Sequence, residues 1–246
     1  MQNDFDPRTS TDRFGGVNAA TVGVPRAARD AGLRSYMLSV YNYMASGVLL
    51  TGIVALLFAT SGFAAQVLVT PLRWLIILAP LGFVMAMNFG LNRMKTSTLQ
   101  ALFWAFAVSM GLSMSSIFLV YTGVSIAQTF FAVAAGFAGL SLYGYTTKRD
   151  LSGLGTFLIM GVVGLLVAML INLFLQSPAM QLAISAIGVL LFAGLTAYDT
   201  QKIKSMYFYV AGTDMMGKTA IMGALNLYLD FINMFQFLLS FMGDRR

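Results

Sequence analysis

"TSTLQALFWAFAVSMGLSMSSIFLVYTGVSIAQTFFAVAAGFAGLSLYGYTT" (residues 96–147) contains no Asp, Glu, Lys or Arg. A water-facing surface cannot be built from such a stretch, whereas membrane-spanning helices of about 20 residues each fit it naturally. The same holds for residues 151–198, again without a charge. Over the 246 residues, 58% are apolar and 10% are charged; a soluble domain carries roughly 25% charged residues. The pattern predicts an all-α integral membrane protein.

Outward from this centre, seven spans are expected, at about 37–60, 74–92, 98–121, 128–145, 151–175, 181–201 and 219–242. Residues 1–35 are polar and rich in Arg, Asp, Thr and Gly. They read as a flexible tail, helical from about Ala27, ahead of a transmembrane domain over 36–246. The first apolar run is too long for a signal-peptide core and follows too long a leader, so it reads as a retained anchor. Pro80 is expected to kink the second span. Gly47, Gly52, Gly136, Gly139, Gly161 and Gly164 are expected to let helices approach closely. The seventeen methionines read as adaptable packing rather than a metal path.

Orientation follows from the Lys and Arg distribution. Arg8, Arg13, Arg26, Arg29, Arg34, Arg93, Lys95, Lys148, Arg149, Lys202, Lys204 and Lys218 fall on one side; Arg73, Arg245 and Arg246 fall on the other. The N-terminus is expected in the cytoplasm and the C-terminus outside, unless the last segment re-enters. This asymmetry accounts for the net charge of +6 without nucleic acid as a partner.

With no Cys there are no disulfides or thiol nucleophiles, and with no His there is no Ser-His triad or HExxH zinc site. All nine acidic residues are Asp. Cation or acid–base chemistry must therefore rest on Asp, hydroxyl, amide and backbone groups.

Asp199 and Asp230 are the only charges in the seven spans. A carboxylate at the centre of a spanning helix costs roughly 2.5–3.5 kcal/mol on insertion scales, and by default marks a functional position facing the bundle interior. In "NLYLDFINMFQFLL" (226–239), Asn226, Asp230 and Asn233 stand at i, i+4 and i+7, on one helical stripe. The two asparagines read first as interhelical hydrogen-bonding groups and second as candidate cation contacts. Asp199, in "GLTAYDTQKIKSMY" (194–207), reaches the depth of Asp230 only if its helix continues past Lys202 and Lys204, with those lysines snorkelling. Two carboxylates in contact share one proton and titrate in two steps, the physics of a pH sensor and equally of an aspartic catalytic dyad.

"DAGLRSYMLSVYNYMASGVLLTGIVALL" (30–57), "AYDTQKIK" (197–204) and "LNLYLDFINMF" (225–235) resemble the bacterial branch of the Bax inhibitor-1 family, from about residue 30 to the end. The resemblance implies a seven-helix bundle with the last helix central and the other six around it. It implies a pH-sensitive Ca²⁺ leak controlled by two aspartates, which fall on Asp199 and Asp230. It also implies a basic residue that pairs with the sixth-helix Asp and holds the pore shut; Arg93 in "GLNRMK" is the nearest match. An acidic residue present in the second helix of some members is missing. Expected, then, is a non-enzymatic protein of a bacterial inner membrane, without a cofactor. Its partners would be the lipid bilayer, H⁺ and Ca²⁺, the last held transiently and weakly by Asp199 and Asp230. Alternatives are a membrane adaptor acting through protein partners, an H⁺/Ca²⁺ exchanger and an intramembrane aspartyl protease. "AYDT" fits half of the protease motif, but Leu and Tyr stand in "LYLD" where that enzyme needs glycines.

Overall fold

The computed structural model describes residues 26–246. The first 25 residues of the expected tail, with Arg8 and Arg13, lie outside the described residues. The remainder of that tail already belongs to the first helix. The described residues form eight helices: α1 (Arg26–Thr60), α2 (Phe63–Leu68), α3 (Leu72–Gly90), α4 (Thr96–Val120), α5 (Gly123–Thr146), α6 (Ser152–Leu175), α7 (Pro178–Val210) and α8 (Met215–Met242). All but the short α2 are long and apolar enough to cross a membrane. The fold is a helical membrane bundle, because a spanning segment must satisfy every backbone N–H and C=O internally.

Local chemistry sets several boundaries. At the start of α5, Thr122 accepts a hydrogen bond from the Ser125 amide at 3.3 Å. At the start of α7, Ser177 does the same for Met180 at 3.3 Å, with Pro178 in the first helical position. α3 continues through Pro80 without interruption. α7 overruns the expected end at 201 and carries Lys202 and Lys204 as helical residues.

The core is built around α8, which packs most extensively on α7 and then on α1, α5 and α4. α6 lies against α7, and α3 against α4. The last helix is therefore central, and its main contacts are with four of the other six spanning helices. Aromatic side chains key it in place: Tyr228 meets Phe106 edge-on at 5.0 Å, and Phe231 meets Phe130 and Phe137 at 5.6 and 5.5 Å. The Tyr228 hydroxyl and Thr51 on α1 are 2.7 Å apart. Since Thr51 donates to the Ala107 carbonyl at 2.8 Å, Tyr228 is the donor of that pair, and one chain of hydroxyls joins α8, α1 and α4.

The 28 residues of α8 span about 42 Å at 1.5 Å per residue. Its far end is fastened to the α4–α5 turn: Thr122 donates to the Asp244 carbonyl at 3.1 Å and Arg246 to the Val120 carbonyl at 2.9 Å. The Asp244 amide donates to Ser125 Oγ at 2.8 Å. α8 therefore crosses the whole bundle and does not re-enter. The loops α3–α4, α5–α6 and α7–α8 gather at one end, hereafter the basic end.

The close approaches are made by a different set of glycines from the one expected. Gly47 does sit against Phe103 and Gly161 against Leu191, but Gly52, Gly136, Gly139 and Gly164 have nothing within 4 Å of where a Cβ would stand. Among the glycines, the closest approach to another helix's backbone is instead at Gly144 of α5, directly against the carbonyl of Ala197 on α7. Spacing in sequence cannot tell which side of a helix faces a partner and which faces lipid.

Candidate functional site

The α7–α8 seam holds both membrane-embedded carboxylates. Asp230 is 4% exposed and its Oδ2 has no hydrogen-bond partner. Asp199 is half-buried on the facing helix. Both stand on helices that pack against each other, and α7 remains helical to Val210, which keeps Asp199 on that seam.

The basic residue nearest Asp199 in sequence is Lys202, one turn along the same helix. Lys202 is exposed and leans over the Tyr198 ring at 5.8 Å, the geometry of a snorkelling side chain. Arg93 is placed elsewhere. It is exposed in the turn after α3, a helix packed on α2 and α4 rather than on α7, and it forms no ion pair with Asp199. The physical reason is that α3 packs along α4, away from α7. The end of α3 is tied instead to α8, where Lys218 donates to the Leu91 carbonyl at 3.4 Å.

Beside Asp199, a run of hydroxyls crosses three helices. Thr200 donates to the Thr196 carbonyl at 2.8 Å, so Thr200 accepts from Ser141 at 2.9 Å. Ser141 in turn accepts from Tyr41 at 3.2 Å. The order Tyr41, Ser141, Thr200 fixes α1 and α5 against the helix that carries the half-buried aspartate.

Asn226 and Asn233 are both half-buried on α8. Asn233, one turn beyond Asp230, lines a cavity of about 260 Å³ with Gln181, Gln236, Phe237 and Ser240. A second cavity of about 410 Å³, at the end opposite the basic one, shares Gln181 and Ser240 and adds Asn172 and Arg245. Between the two, Gln181 Nε2 donates to Ser240 at 3.2 Å, Ser185 also donates to Ser240 at 3.2 Å, and Asn172 Nδ2 donates to Gln181 Oε1 at 3.2 Å. Phe237 stacks on Phe192 at 5.8 Å and presses on Gly188, and it narrows the space between Asn233 and Ser240. Sequence reading missed this polar group. Its signal was present as a concentration of amides and hydroxyls near residues 172–185 and 233–240, inside otherwise apolar helices.

Chemically, the arrangement offers two carboxylates, several amides and hydroxyls, and a local cation. Among the described residues no three acidic, His or Cys side chains converge. A divalent cation at the pair would draw its remaining oxygens from amides, carbonyls and water, a weak site for an ion that takes six to eight ligands.

The family described as "Inhibitor of apoptosis-promoting Bax1" matches the chain over residues 33–246. The chain belongs to the Bax inhibitor-1 family. An uncharacterised member from Rickettsia prowazekii is 49% identical over 88% of this chain and 92% of its own length. The Escherichia coli inner membrane protein YbhL is 46% identical over 88% of this chain and 94% of its own. The Bax inhibitor-1 match takes in α1 from residue 33 and all the later membrane-crossing helices, and therefore the whole α7–α8 seam.

Proposed function

We propose that this protein is a pH-sensitive leak for Ca²⁺ or a similar cation, gated by Asp199 and Asp230, and that it catalyses no covalent reaction. The observation that supports it is Asp230: a carboxylate sealed in the bundle centre, with an oxygen that bonds to nothing and a second carboxylate across the seam. An unmet buried polar group costs about 1–3 kcal/mol and more when charged, and of the two such groups among the described residues, the Tyr36 hydroxyl and Asp230 Oδ2, only Asp230 can carry a charge at neutral pH. Strain of this kind persists where function needs it.

In this reading the basic end faces the cytoplasm, as the excess of Lys and Arg favours, and the membrane is the bacterial inner one that YbhL's name specifies for that relative. With both carboxylates ionised, Lys202 holds Asp199 and the path is closed. One proton on the pair weakens that hold and leaves one charge to attract the cation. Two protons remove the attraction altogether. Flux therefore rises as pH falls from neutral, peaks at mild acidity and declines below it. Asn233, Gln181 and Ser240 continue the path from Asp230 to the opposite end.

Calcium uptake into sealed proteoliposomes, followed from acidic to neutral pH, tests the proposal. Asp199→Asn should flatten the pH profile without loss of the folded protein; an unchanged profile would remove Asp199 from the gate. Proton counter-flow under an imposed Ca²⁺ gradient separates an exchanger from a leak. Absence of flux at every pH would leave the adaptor role in the lead.

A further inference from the structure

We propose that the basic end carries a seat for a phosphate-bearing anion, formed between the α5–α6 loop and the last turns of α7. A cavity of about 430 Å³ opens there, walled among others by Lys148, Arg149, Lys202, Lys204, Tyr198 and Gln201. Four cations face it, and Asp150 is the single acid among its walls. That acid is already engaged, since its Oδ1 accepts the Ser152 amide at 2.9 Å.

A preference for positive charge at one end explains the sign of these residues. It does not explain why they converge, because like charges side by side repel. The convergence is built. α7 continues past Asp199 to Val210 and thereby carries Lys202 and Lys204 up to the loop. The loop is clasped to α7 by one side chain, Gln201. Its Oε1 accepts the Leu151 amide at 2.9 Å, and its Nε2 donates to the Arg149 carbonyl at 2.8 Å. Lys204 donates to the Tyr145 carbonyl at 2.7 Å and rests over that ring at 4.9 Å. An ammonium has three donors, so two remain for a ligand. Arg149 adds a planar fork suited to two oxygens of one phosphate.

The ligand class is thus a phosphate or phosphodiester. It is available either from an anionic phospholipid headgroup at the membrane surface or from a soluble phosphate. The seat shares Lys202 with the aspartate gate, but its test leaves Lys202 in place, so the two proposals fail separately.

The experiment is native mass spectrometry of the full chain released from nanodiscs of mixed phosphatidylcholine and phosphatidylglycerol. It is paired with calorimetric titration of inorganic phosphate into lipid-free, detergent-solubilised protein. Wild type should retain phosphatidylglycerol in preference to phosphatidylcholine, and Lys148→Gln/Arg149→Gln should lower that retention by about tenfold or more. Gln201→Leu changes no charge but releases the loop, and it should lower retention as well. Lys95→Gln/Arg34→Gln removes the same charge elsewhere on that end and should leave retention intact. Circular dichroism melts of each variant exclude unfolding as the cause. Phosphate binding that the Lys148/Arg149 variant abolishes, without lipid preference, assigns the seat to a soluble anion. Equal retention in wild type and that variant, or equal loss in the Lys95/Arg34 control, with no phosphate binding, overturns the proposal.

Discussion

α6 and α8 are neighbours of the same helix, α7, yet they are built on opposite terms. α6 is the most apolar of the crossing helices and α8 is among the least. In their most apolar stretches, 17% of α6 is buried within the protein against 61% of α8. In a water-soluble protein the order would be reversed, with the greasier helix inside. Here the solvent for the exterior is hydrocarbon, so a helix that is apolar on all sides is suited to lipid. One interrupted by Asn226, Tyr228, Asp230 and Asn233 must be solvated by other helices. Centrality in this bundle is written as polarity.

Several substitutions break or sharpen that contrast, and the largest effect belongs to α8. Asp230→Asn should reduce Ca²⁺ uptake to the level of protein-free vesicles, while thermal unfolding shifts upward because an uncharged amide replaces a carboxylate in the bundle centre. Retained flux would return Asp230 to a packing role. Next is Gly144→Ala, which drives a methyl group into the Ala197 carbonyl of α7. A cost of about 1–3 kcal/mol is expected for such overpacking, read as a lower midpoint in a detergent-solubilised melt. A smaller loss, about 1 kcal/mol, should follow Tyr228→Phe, which removes the donor to Thr51. The smallest effect is expected in α6, where Gly164→Ala meets open space and should be neutral or stabilising by about 0.5–1 kcal/mol through helix propensity. If Gly144→Ala and Gly164→Ala shifted the melt equally, the distinction between a packed seam and a lipid face would fail.

Much of the architecture was legible before any coordinates. The charge-free stretches marked the spans, and the two lone carboxylates stood out because nothing around them was charged. The overrun of α7 was foreseeable from "MYFYV" (206–210), apolar enough to continue a helix past two lysines. The identity of the cation near Asp199 was harder. Arg93 came from a family resemblance, whereas Lys202 was in plain view three residues along, at a spacing that places both on one face of a helix. The cluster of Gln181, Ser185 and Ser240 escaped notice because each residue alone resembles an incidental polar side chain. Only the pairing of α7 with α8 turns them into one network. The glycines failed for a related reason: an absent side chain reports room for a neighbour but not whether a neighbour is there.

Residue order alone establishes that the chain crosses a membrane, how many times, and which two carboxylates lie inside it at a cost. These are one-dimensional facts, set by the run length of apolar residues and the price of charge in hydrocarbon. Three-dimensional packing was needed to show that α8 rests chiefly on α7, α1, α5 and α4, that Arg93 follows a helix packed away from α7, and that Gln201 clasps a basic loop against α7. Those depend on which faces meet, and in a bundle of uniformly apolar helices the meeting faces are chosen by close packing and a few hydrogen bonds, neither of which has a period in the sequence.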